Sequence, residues 1–329
     1  MARAFNVYGI GNALVDIQYR VTPDFLARFG IEKGVMTLIE EDRHHELLDR
    51  LGDDVLKRSS GGSAANTMIA VAGLGGTAYY ACKVAKDAYG DFYLRDLAEA
   101  RVASNRFQGE GITGKCLVMI TDDADRTMNT YLGITGTFGP EQLESDVIRR
   151  SDYLYIEGYL MASDVGFASA MAAQAEAHAG GTRVSLSLSD PSIVAAFGDR
   201  MRTLVTRGVD LLFCNEDEAR AFSETGETDE ACVALETMVG AYAVTCEANG
   251  AIVWDGVERF RSPGFSVDAV DTNGAGDMFA GAYLFGITGG LDAEQSAKLA
   301  NYASMRVVAQ YGPRLEESLT DEVERILAM

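Results

Sequence analysis

From residue 59 to residue 245 the sequence alternates between short apolar segments of strand length and longer segments with helical spacing. Strands are predicted at 78–84, 153–156, 184–188, 211–214 and 241–245. Helices are predicted at 63–73, 92–103, 140–150, 166–179, 193–206, 216–223 and 229–238. Strands that alternate with helices pair in parallel, because each helix carries the chain back to the end of the sheet where the previous strand began. The alternation therefore predicts an α/β fold, with a mainly parallel sheet and helices on both faces.

Short strands joined by tight connections interrupt this pattern and predict a second, smaller sheet. They alternate apolar and polar residues and lie at 15–21, 34–39, 115–121 and 126–132. Strands joined by a turn as short as 122–125 pair antiparallel and fit poorly into a parallel sheet. We therefore expect one domain over residues 1–329, with a lid formed by two excursions at about 15–39 and 114–133.

The composition limits the class of ligand and partner. The formal net charge is −21 at pH 7, so the chain would repel a nucleic acid or an anionic membrane, and we expect neither as a partner. No apolar run reaches the roughly 20 residues that span a bilayer. The five cysteines form no C-x-x-C pair, and the N-terminal segment lacks a signal peptide's apolar core. These features favour a cytoplasmic protein with reduced thiols.

The segment Asp271-Thr272-Asn273-Gly274-Ala275-Gly276-Asp277 runs directly into an apolar helix and predicts an anion site. The first N–H groups of a helix lack intrahelical partners and carry positive potential. Gly274 and Gly276 have no side chain to keep an anionic oxygen away from them. Asp277, in the first helical turn, could accept a proton from a substrate hydroxyl. The alternative is that Asp277 only caps the helix electrostatically and the glycines only form a turn.

This segment resembles the C-terminal signature of the ribokinase-like (PfkB) family of sugar and nucleoside kinases. A second segment, Gly61-Gly62-Ser63-Ala64-Ala65-Asn66, is similar to that family's Gly-Gly…Asn substrate motif. A third, Asn215-Glu216-Asp217-Glu218, is similar to its Asn-x-x-Glu motif. The three motifs occur in the family's order over most of the chain. The resemblance implies a ribokinase-like fold with a β-sheet lid, and ATP-dependent, Mg-dependent phosphorylation of a hydroxyl group.

The resemblance also implies roles for the residues that match family positions. Asp277 would be the general base, with the backbone of Gly274, Ala275 and Gly276 as the anion hole. The residues that would hold the sugar hydroxyls are Asn12, Asp16, Gly61, Gly62 and Asn66. Those that would bind the phosphates and the nucleotide are Arg126, Asn215, Glu218 (through water on Mg), Thr245, Gly250 and Thr272. A possible K⁺ would be surrounded by Asp271 and by backbone carbonyls near Val307, Gln310 and Gly312.

For several of these residues the sequence alone leaves a structural alternative open. Asn12 could be an ordinary turn residue, and Asp16 a solvated strand residue. Asn215 and Glu218 have the N-cap and N3 spacing of a capping box. Arg126 could be a solvated arginine of the lid turn.

Two segments leave other questions open. Residues 61–66 could serve only as the entry to a helix. The segment 245–250 lies where the family usually has a Thr-x-Gly-x-x-Gly stretch near the nucleotide, and Glu247 replaces its first glycine. A carboxylate at that position would disfavour a nearby phosphate.

The acceptor is suggested by the start of the chain. Gly11-Asn12-Ala13-Leu14-Val15-Asp16-Ile17 resembles the adenosine-kinase-like branch of the family. An apolar lid face could cover a flat purine, and Tyr159 could stack on it. The candidate faces are Met36 with Leu38 or Val35 with Thr37, opposed by Cys116, Val118 and Ile120 or by Leu117 and Met119.

We therefore expect phosphorylation of a nucleoside, adenosine first, at its 5′-hydroxyl. One alternative is a sugar kinase of the ribokinase, fructokinase or sugar-acid type. Another is a catalytically idle ligand-binding member of the fold. The protein is expected to be a monomer or a homodimer formed through the lid.

Overall fold

The computed structural model describes residues 3–123 and 125–329. The described part contains sixteen strands: β1 Phe5–Ile10, β2 Leu14–Arg20, β3 Met36–Leu38, β4 Val55–Gly61, β5 Ala78–Ala81, β6 Lys83–Ala85, β7 Ala103–Ser104, β8 Phe107–Gly109, β9 Thr113–Ile120, β10 Arg126–Gly133, β11 Ser151–Glu157, β12 Arg183–Ser187, β13 Leu211–Asn215, β14 Tyr242–Thr245, β15 Ala251–Trp254 and β16 Arg259–Ser262. It also contains twelve helices: α1 Pro23–Arg28, α2 Glu41–Leu51, α3 Ser63–Gly73, α4 Ala88–Glu99, α5 Ser145–Ile148, α6 Asp164–Gly180, α7 Pro191–Thr206, α8 Glu216–Ser223, α9 Thr228–Glu236, α10 Ala275–Thr288, α11 Ala293–Val308 and α12 Val323–Ala328.

The main sheet has nine strands in the order β16-β15-β14-β13-β12-β11-β1-β5-β7. The seven strands from β14 to β7 are parallel, and β15 and β16 add an antiparallel edge. The predicted α/β fold with a mainly parallel sheet is confirmed. The strand order reverses at β1, because β5 follows on one side and β11 on the other. Such a reversal opens a crevice at the carboxyl ends of the strands, where ligands bind in sheets of this kind.

Both faces of the main sheet are buried. Successive strand residues point to opposite faces, so neighbours in the chain pack into different clusters. Val7, Tyr153 and Tyr155 pack into one hydrophobic cluster with residues of α3, α4, α10 and α11. Tyr8 and Leu154, their neighbours in the chain, pack into a second cluster with residues of α6, α7, α8 and α9. The helices therefore cover both faces, as predicted.

A separate five-stranded sheet has the order β3-β10-β9-β2-β4. β9 and β10 are antiparallel, as their short connection predicts, while β2 and β9 are parallel. The predicted turn between β9 and β10 includes Ala124, which lies outside the described residues. The first excursion continues to Gly61 rather than ending near residue 39, because β4 pairs antiparallel with β2. The sequence of β4, VLKRSSG, is apolar only at its start, so the alternating pattern does not reveal it.

Two predicted elements are interrupted in the structure. The strand predicted at 78–84 divides into β5 and β6, because the backbone N–H of Cys82 donates to the side chain of Asn105 instead of to a strand. The helix predicted at 140–150 is a short turn followed by α5. Between them the N–H of Glu144 donates to the hydroxyl of Tyr8.

Within residues 3–123 and 125–329, no helix has the length and apolar character needed to cross a bilayer.

Helices α3 and α10 lie close together because Gly281 has no side chain. A Cβ atom at Gly281 would lie 2.5 Å from the Cβ of Ala70 and 2.6 Å from the carbonyl oxygen of Thr67. Both distances are far shorter than a van der Waals contact. This close packing fixes the start of α3 relative to the start of α10.

We expect Gly281→Ala to lower the free energy of unfolding by about 1–3 kcal/mol, since overpacking outweighs the gain in helix propensity. The matched control is Gly73→Ala, at the end of α3, where an added Cβ has no neighbour within 4 Å. The free energy of unfolding of Gly73→Ala should equal or exceed that of the wild type. Denaturant unfolding measures both, and equal stability of the two variants would contradict close packing at Gly281.

Candidate active site

A cleft of about 1350 Å³ lies between the carboxyl edge of the main sheet and the lid. Single small-molecule sites commonly enclose roughly 300–1,000 Å³, so this cleft has room for two ligands side by side. The predicted residues that line it are Asn12, Asp16, Gly62, Asn66, Tyr159, Asn215, Glu218, Thr245, Gly250, Thr272, Gly274, Ala275, Gly276 and Asp277. The predicted residues that do not are Gly61, Arg126, Asp271, Val307, Gln310 and Gly312.

The start of α10 opens into the cleft. Gly274 has φ = 77°, and a Cβ there would lie 2.4 Å from the Cβ of Pro313, so the backbone requires glycine. At Gly276 an added Cβ would have no neighbour within 4 Å, so the space beside this helix start is open. The arrangement has the features of the predicted anion site: unpaired helical N–H groups beside an unobstructed space.

Asp277 faces α3 across the cleft. Its carboxylate accepts hydrogen bonds from Ser63 Oγ at 2.6 Å and from Asn66 Nδ2 at 3.0 Å. The N-cap of α10 is Gly274, no side chain forms a capping hydrogen bond, and Asp277 lies in the first turn of the helix. Burial raises the pKa of Asp277, while the two hydrogen bonds act in the opposite direction. A carboxylate of raised proton affinity, held in one orientation, suits a general base.

Asp16 lies on lid strand β2 and is only 8% exposed. Among residues 3–123 and 125–329, no donor forms a hydrogen bond with its carboxylate, although the positive charge of Arg314 is close. Burial raises the pKa of Asp16 to about 7, and the charge of Asp277 adds to this effect. A Cβ on Gly61 would lie 2.3 Å from the Asp16 carboxyl carbon. Gly61 therefore makes room for Asp16 and does not itself line the cleft.

Glu157 is a buried carboxylate that the sequence analysis did not assign to the site. Its Oε1 accepts from both the backbone N–H and the side-chain amide of Asn12, each at 3.1 Å. Its Oε2 accepts from the backbone N–H of Ala64, in the first turn of α3, at 2.8 Å. Burial raises the pKa of Glu157 to about 7 despite these bonds. In the sequence, the signal that could have pointed to Glu157 is a single charged residue at the end of an apolar strand.

Glu157 also fixes the position of the Asn12 side chain. The side chain of Asn12 is held against β11 and lines the cleft, so it is not an ordinary turn residue. Gly62, the residue before α3, has φ = 94°, and a Cβ there would lie 2.0 Å from the carbonyl oxygen of Asn12. Glycine at this position lets β1 and the start of α3 meet.

Asn215 and Glu218 form a capping box at the start of α8, and both also line the cleft. Asn215 Oδ1 accepts from the Glu218 N–H at 2.8 Å, and Glu218 accepts from the Asn215 N–H at 3.0 Å and its amide at 2.9 Å. The capping box is therefore present, and both side chains also lie at the surface of the cleft. Burial raises the pKa of Glu218 to about 7.

The neighbouring loop contains Gly250 and Glu247. Gly250 has φ = 88°, and a Cβ there would lie 2.1 Å from the carbonyl oxygen of Ser262, so neighbouring backbone already requires glycine. Glu247 has φ = 50° and is exposed at the edge of the cleft.

Arg126 is not a solvated turn residue. Its Nη2 lies 2.5 Å from Asp271 Oδ2, and the two side chains are only 9% and 3% exposed. Asp271 also accepts from the N–H groups of Gly312 at 2.6 Å and Asn273 at 3.1 Å. The ion pair joins lid strand β10 to the segment that leads into α10.

This ion pair disagrees with the expected K⁺ site. The carboxylate of Asp271 already contacts a guanidinium. The carbonyl of Val307 accepts a hydrogen bond from the N–H of Gln310, and Gly312 offers Asp271 an N–H group. Asp271, Val307, Gln310 and Gly312 therefore do not fit a monovalent cation as arranged here.

A divalent ion fits the other end of the cleft better. No group of three or more His, Cys, Asp or Glu side chains suited to direct metal ligation occurs in the described part of the chain. The oxygen donors that line the cleft near α8 are Asp190, Glu216, Asp217 and Glu218. Mg prefers oxygen ligands and keeps several of its waters, so this donor set suits Mg held mainly through water.

The lid presents one of its two alternating faces to the cleft. Met36, Leu38, Cys116 and Val118 line the cleft. Leu117 and Met119 point to the opposite face and pack in the hydrophobic cluster beneath α1 and α2. Tyr159 lies on the far wall, where its hydroxyl donates to the carbonyl of Ser189 at 3.4 Å.

The residue pattern of a family described as pfkB family carbohydrate kinase matches residues 40–319. The structure of a probable sugar kinase protein from Rhizobium etli CFN 42 superposes with a TM-score of 0.92 at 36% identity and covers 99% of each chain. Adenosine kinase from Sinorhizobium meliloti has a TM-score of 0.91 at 38% identity, with 98% of this chain and 99% of that chain covered. Adenosine kinase from Saccharomyces cerevisiae is 28% identical over 327 residues, or 92% of this chain and 95% of the yeast protein.

The buried carboxylates of the site predict a pH-dependent stability. Burial raises the pKa of Asp16 and of Glu157 to about 7, whereas an unfolded carboxyl titrates near about 4. Their protonated forms therefore stabilise the folded protein fully below about pH 4. This contribution is lost as the pH rises towards 7, since the unfolded chain ionises first.

We expect Asp16→Asn to be more stable than the wild type at pH 8, by on the order of 1–3 kcal/mol, and to lose most of this advantage at pH 5. Denaturant unfolding at the two pH values measures the difference. Asp122→Asn, at an exposed lid position, is the control and should show no such pH dependence. An equal effect of Asp16→Asn at both pH values would refute the assignment.

Proposed function

Because this chain belongs to the pfkB family of carbohydrate kinases, we propose that it phosphorylates the 5′-hydroxyl of a nucleoside, adenosine before any other, with ATP as donor. Enzymes of this family are phosphotransferases that act on hydroxyl groups, and the chain belongs to its adenosine-kinase-like branch. The observation that carries the proposal is the position of Asp277. It stands at the open start of α10 and faces the acceptor-side residues of α3.

The chemistry follows from the groups around Asp277. The acceptor hydroxyl oxygen forms a bond to the γ-phosphorus as the bond from phosphorus to the ADP oxygen breaks, and the hydroxyl proton passes to Asp277. Ser63 donates to Oδ1 of Asp277 and Asn66 donates to Oδ2, and these two hydrogen bonds favour the ionised base. The N–H groups at the start of α10 stabilise the negative charge on the transferring group.

The acceptor side suits a neutral polyol. Asp16 has a carboxylate free to accept from sugar hydroxyls, and Asn12 is fixed by Glu157 beside it. A ligand lacking these hydroxyls would leave buried polar groups unpaired and would be rejected. The crowding of Asp16, Glu157 and Asp277 also disfavours an acceptor that already carries a phosphate.

The apolar lid face supports a nucleoside over a free sugar. Met36, Leu38, Cys116 and Val118 line the cleft together with Leu14, Met128 and Leu132 of the same sheet. A purine would cover this surface, whereas a bare sugar would leave it against water. Tyr159, on the opposite wall, adds an aromatic ring that can stack on a base.

The donor side uses residues around the start of α8 and the segment before α10. Asn215 and Glu218 would hold Mg through water, and bound Mg neutralises phosphate charge. Thr245, Gly250 and Thr272 line the part of the cleft left for the nucleotide. Arg126 does not line the cleft while it is paired with Asp271, and it would reach a phosphate oxygen only if lid closure moved its guanidinium.

The second candidate is a sugar kinase, and the likeness to the Rhizobium etli probable sugar kinase protein is the observation that favours it. A catalytically idle binding protein is less consistent with the site, since Asp277 and the open helix start are both present. The monomeric or lid-mediated dimeric state and the cytoplasmic location stay predictions.

ATP turnover with a panel of acceptors tests the proposal. The panel contains adenosine, inosine, guanosine, ribose, fructose and a sugar acid. Adenosine should give the highest kcat/KM. A higher value for any free sugar than for every nucleoside would replace the assignment by the sugar-kinase alternative, and no turnover of any acceptor would favour the idle protein.

We expect Asp277→Asn to fold normally and to lose turnover by about 10²-fold or more, as the loss of a general base typically does. The matched control is Asp292→Asn, which changes another carboxylate at a helix start. Asp292 caps α11 through the Gln295 N–H, a role that asparagine also fills. Steady-state kinetics compare the two, and near wild-type turnover of Asp277→Asn would remove Asp277 from the mechanism.

We expect Gly276→Val to leave the protein folded, because the added side chain points into open space. It should nevertheless lower turnover on the order of 10²-fold, because the side chain obstructs the N–H groups at the helix start. ATP titrations and thermal unfolding separate the two effects. If turnover and ATP affinity both stayed at wild-type values, the glycine would be only part of a turn.

A further inference from the structure

Arg314 lies outside the cleft, in the segment after α11, and its side chain contacts Ser60, Asn66 and Asp96. Its Nη1 donates to Asp96 Oδ2 at 2.8 Å and its Nη2 to Ser60 Oγ at 2.8 Å. Its Nε donates to Asn66 Oδ1 at 3.4 Å. Every nitrogen of the guanidinium therefore has a partner, and the side chain is only 18% exposed.

The far end of this network is firmly held. Asp96, on α4, accepts from the backbone N–H of Ser60 at 2.8 Å as well as from Arg314. Burial acts to raise the pKa of Asp96, but the charge of Arg314 and the bonds from Ser60 outweigh it and lower the pKa. The pair therefore stays ionised and fixes the guanidinium in one position.

The near end of the network determines the orientation of an amide. A guanidinium can only donate hydrogen bonds, and an ionised carboxylate can only accept them. The amide of Asn66 lies between Arg314 and Asp277, so its oxygen must face the guanidinium and its N–H₂ group must face the carboxylate. The reversed amide would set an oxygen against Asp277 and an N–H₂ group against Arg314, and both contacts would be repulsive.

From this geometry we propose that Arg314 is a positioning residue for phosphoryl transfer, which fixes the Asn66 amide so that it donates to Asp277. The inference rests on the proposed function. It assigns a role in the reaction to a residue that touches neither ligand. Arg314 would act by keeping the base ionised and aimed at the acceptor hydroxyl.

The charge of Arg314 acts on a second acceptor-side group. Burial raises the pKa of Asp16, and Arg314 is the largest opposing influence. The other ionisable groups that face Asp277 are Asp16 from β2, Tyr155 and Glu157 from β11, and Tyr159 from the turn that follows β11. All of these carry negative charge or none, and the positive charges that oppose them at Asp16 are those of Arg314 and, to a smaller extent, Arg126.

Two substitutions separate the orientation of Asn66 from the effect of charge. Arg314→Met keeps a long apolar stem but removes the charge and all donors. It should lower kcat on the order of 10-fold, or up to about 10²-fold if the base is displaced. It should also move the acidic limb of the kcat–pH profile to higher pH and raise the acceptor KM. Arg314→Lys keeps the charge without the planar fork, so KM should stay closer to the wild type while kcat falls.

A double-mutant cycle tests whether Arg314 acts through Asn66. In an Asn66→Ala background, Arg314→Met should reduce kcat much less than it does in the wild type, because the amide that it positions is absent. The control is Arg325→Met, which removes an arginine that is 57% exposed and paired with Glu322. It should leave kcat, KM and the pH profile unchanged.

If Arg314→Met does not fold because Asp96 is left unpaired, Arg314→Met combined with Asp96→Asn removes the buried charge. The combined variant should show the same shifted pH profile. The measurement uses whichever acceptor the wild type phosphorylates best, so an error in the nucleoside assignment does not affect it. Wild-type inactivity towards every acceptor would instead remove the proposed function itself.

With an active wild type, two results would overturn the role of Arg314 alone. One is a wild-type kcat and pH profile in Arg314→Met. The other is full additivity of Arg314→Met and Asn66→Ala, which would show that Arg314 acts independently of the amide.

Discussion

The contact between the starts of α3 and α10 is the constraint on which the rest of the site depends. Gly281 lets the two helices approach closely, and Ser63 and Asn66 of α3 then reach the carboxylate of Asp277. Ser63, Asn66 and Asp277 are thus placed by helix packing and not by a flexible loop. The same packing directs two positive helix ends at one cleft, where an anionic group would lie between them.

The cleft concentrates negative charge, which is unusual for a site expected to handle phosphates. Asp16, Glu157 and Glu218 are buried, and desolvation raises the pKa of each to about 7. Their repulsion is offset by helix N-termini, by backbone N–H groups and by arginines placed outside the cleft. Under the proposed function, this division would give the acceptor end carboxylates for hydroxyl groups and would leave the phosphate end to backbone groups and a divalent ion.

The sequence revealed those features whose signal lies within a few neighbouring residues. The alternation of apolar segments predicted the parallel sheet, and the glycine-rich segment before Asp277 predicted an open helix start. Glu157 and Arg314 were missed because their partners come from distant segments: the bond from Arg314 to Asn66 spans 248 positions. The ion pair between Arg126 and Asp271 was missed for the same reason, since nothing near Asp271 in the sequence indicates that Arg126 pairs with it.

The lid strands are continuous in the chain with the segments that carry Asp16 and the start of α3. Strand β2 carries Asp16, and its partner β4 ends at Gly61, directly before the glycine that opens α3. Under the proposed function, an acceptor held by Asp16 would be held by a lid strand, and the position of the lid would be coupled to acceptor binding. Substitutions on the outer face of the lid would then alter acceptor affinity without touching the acceptor.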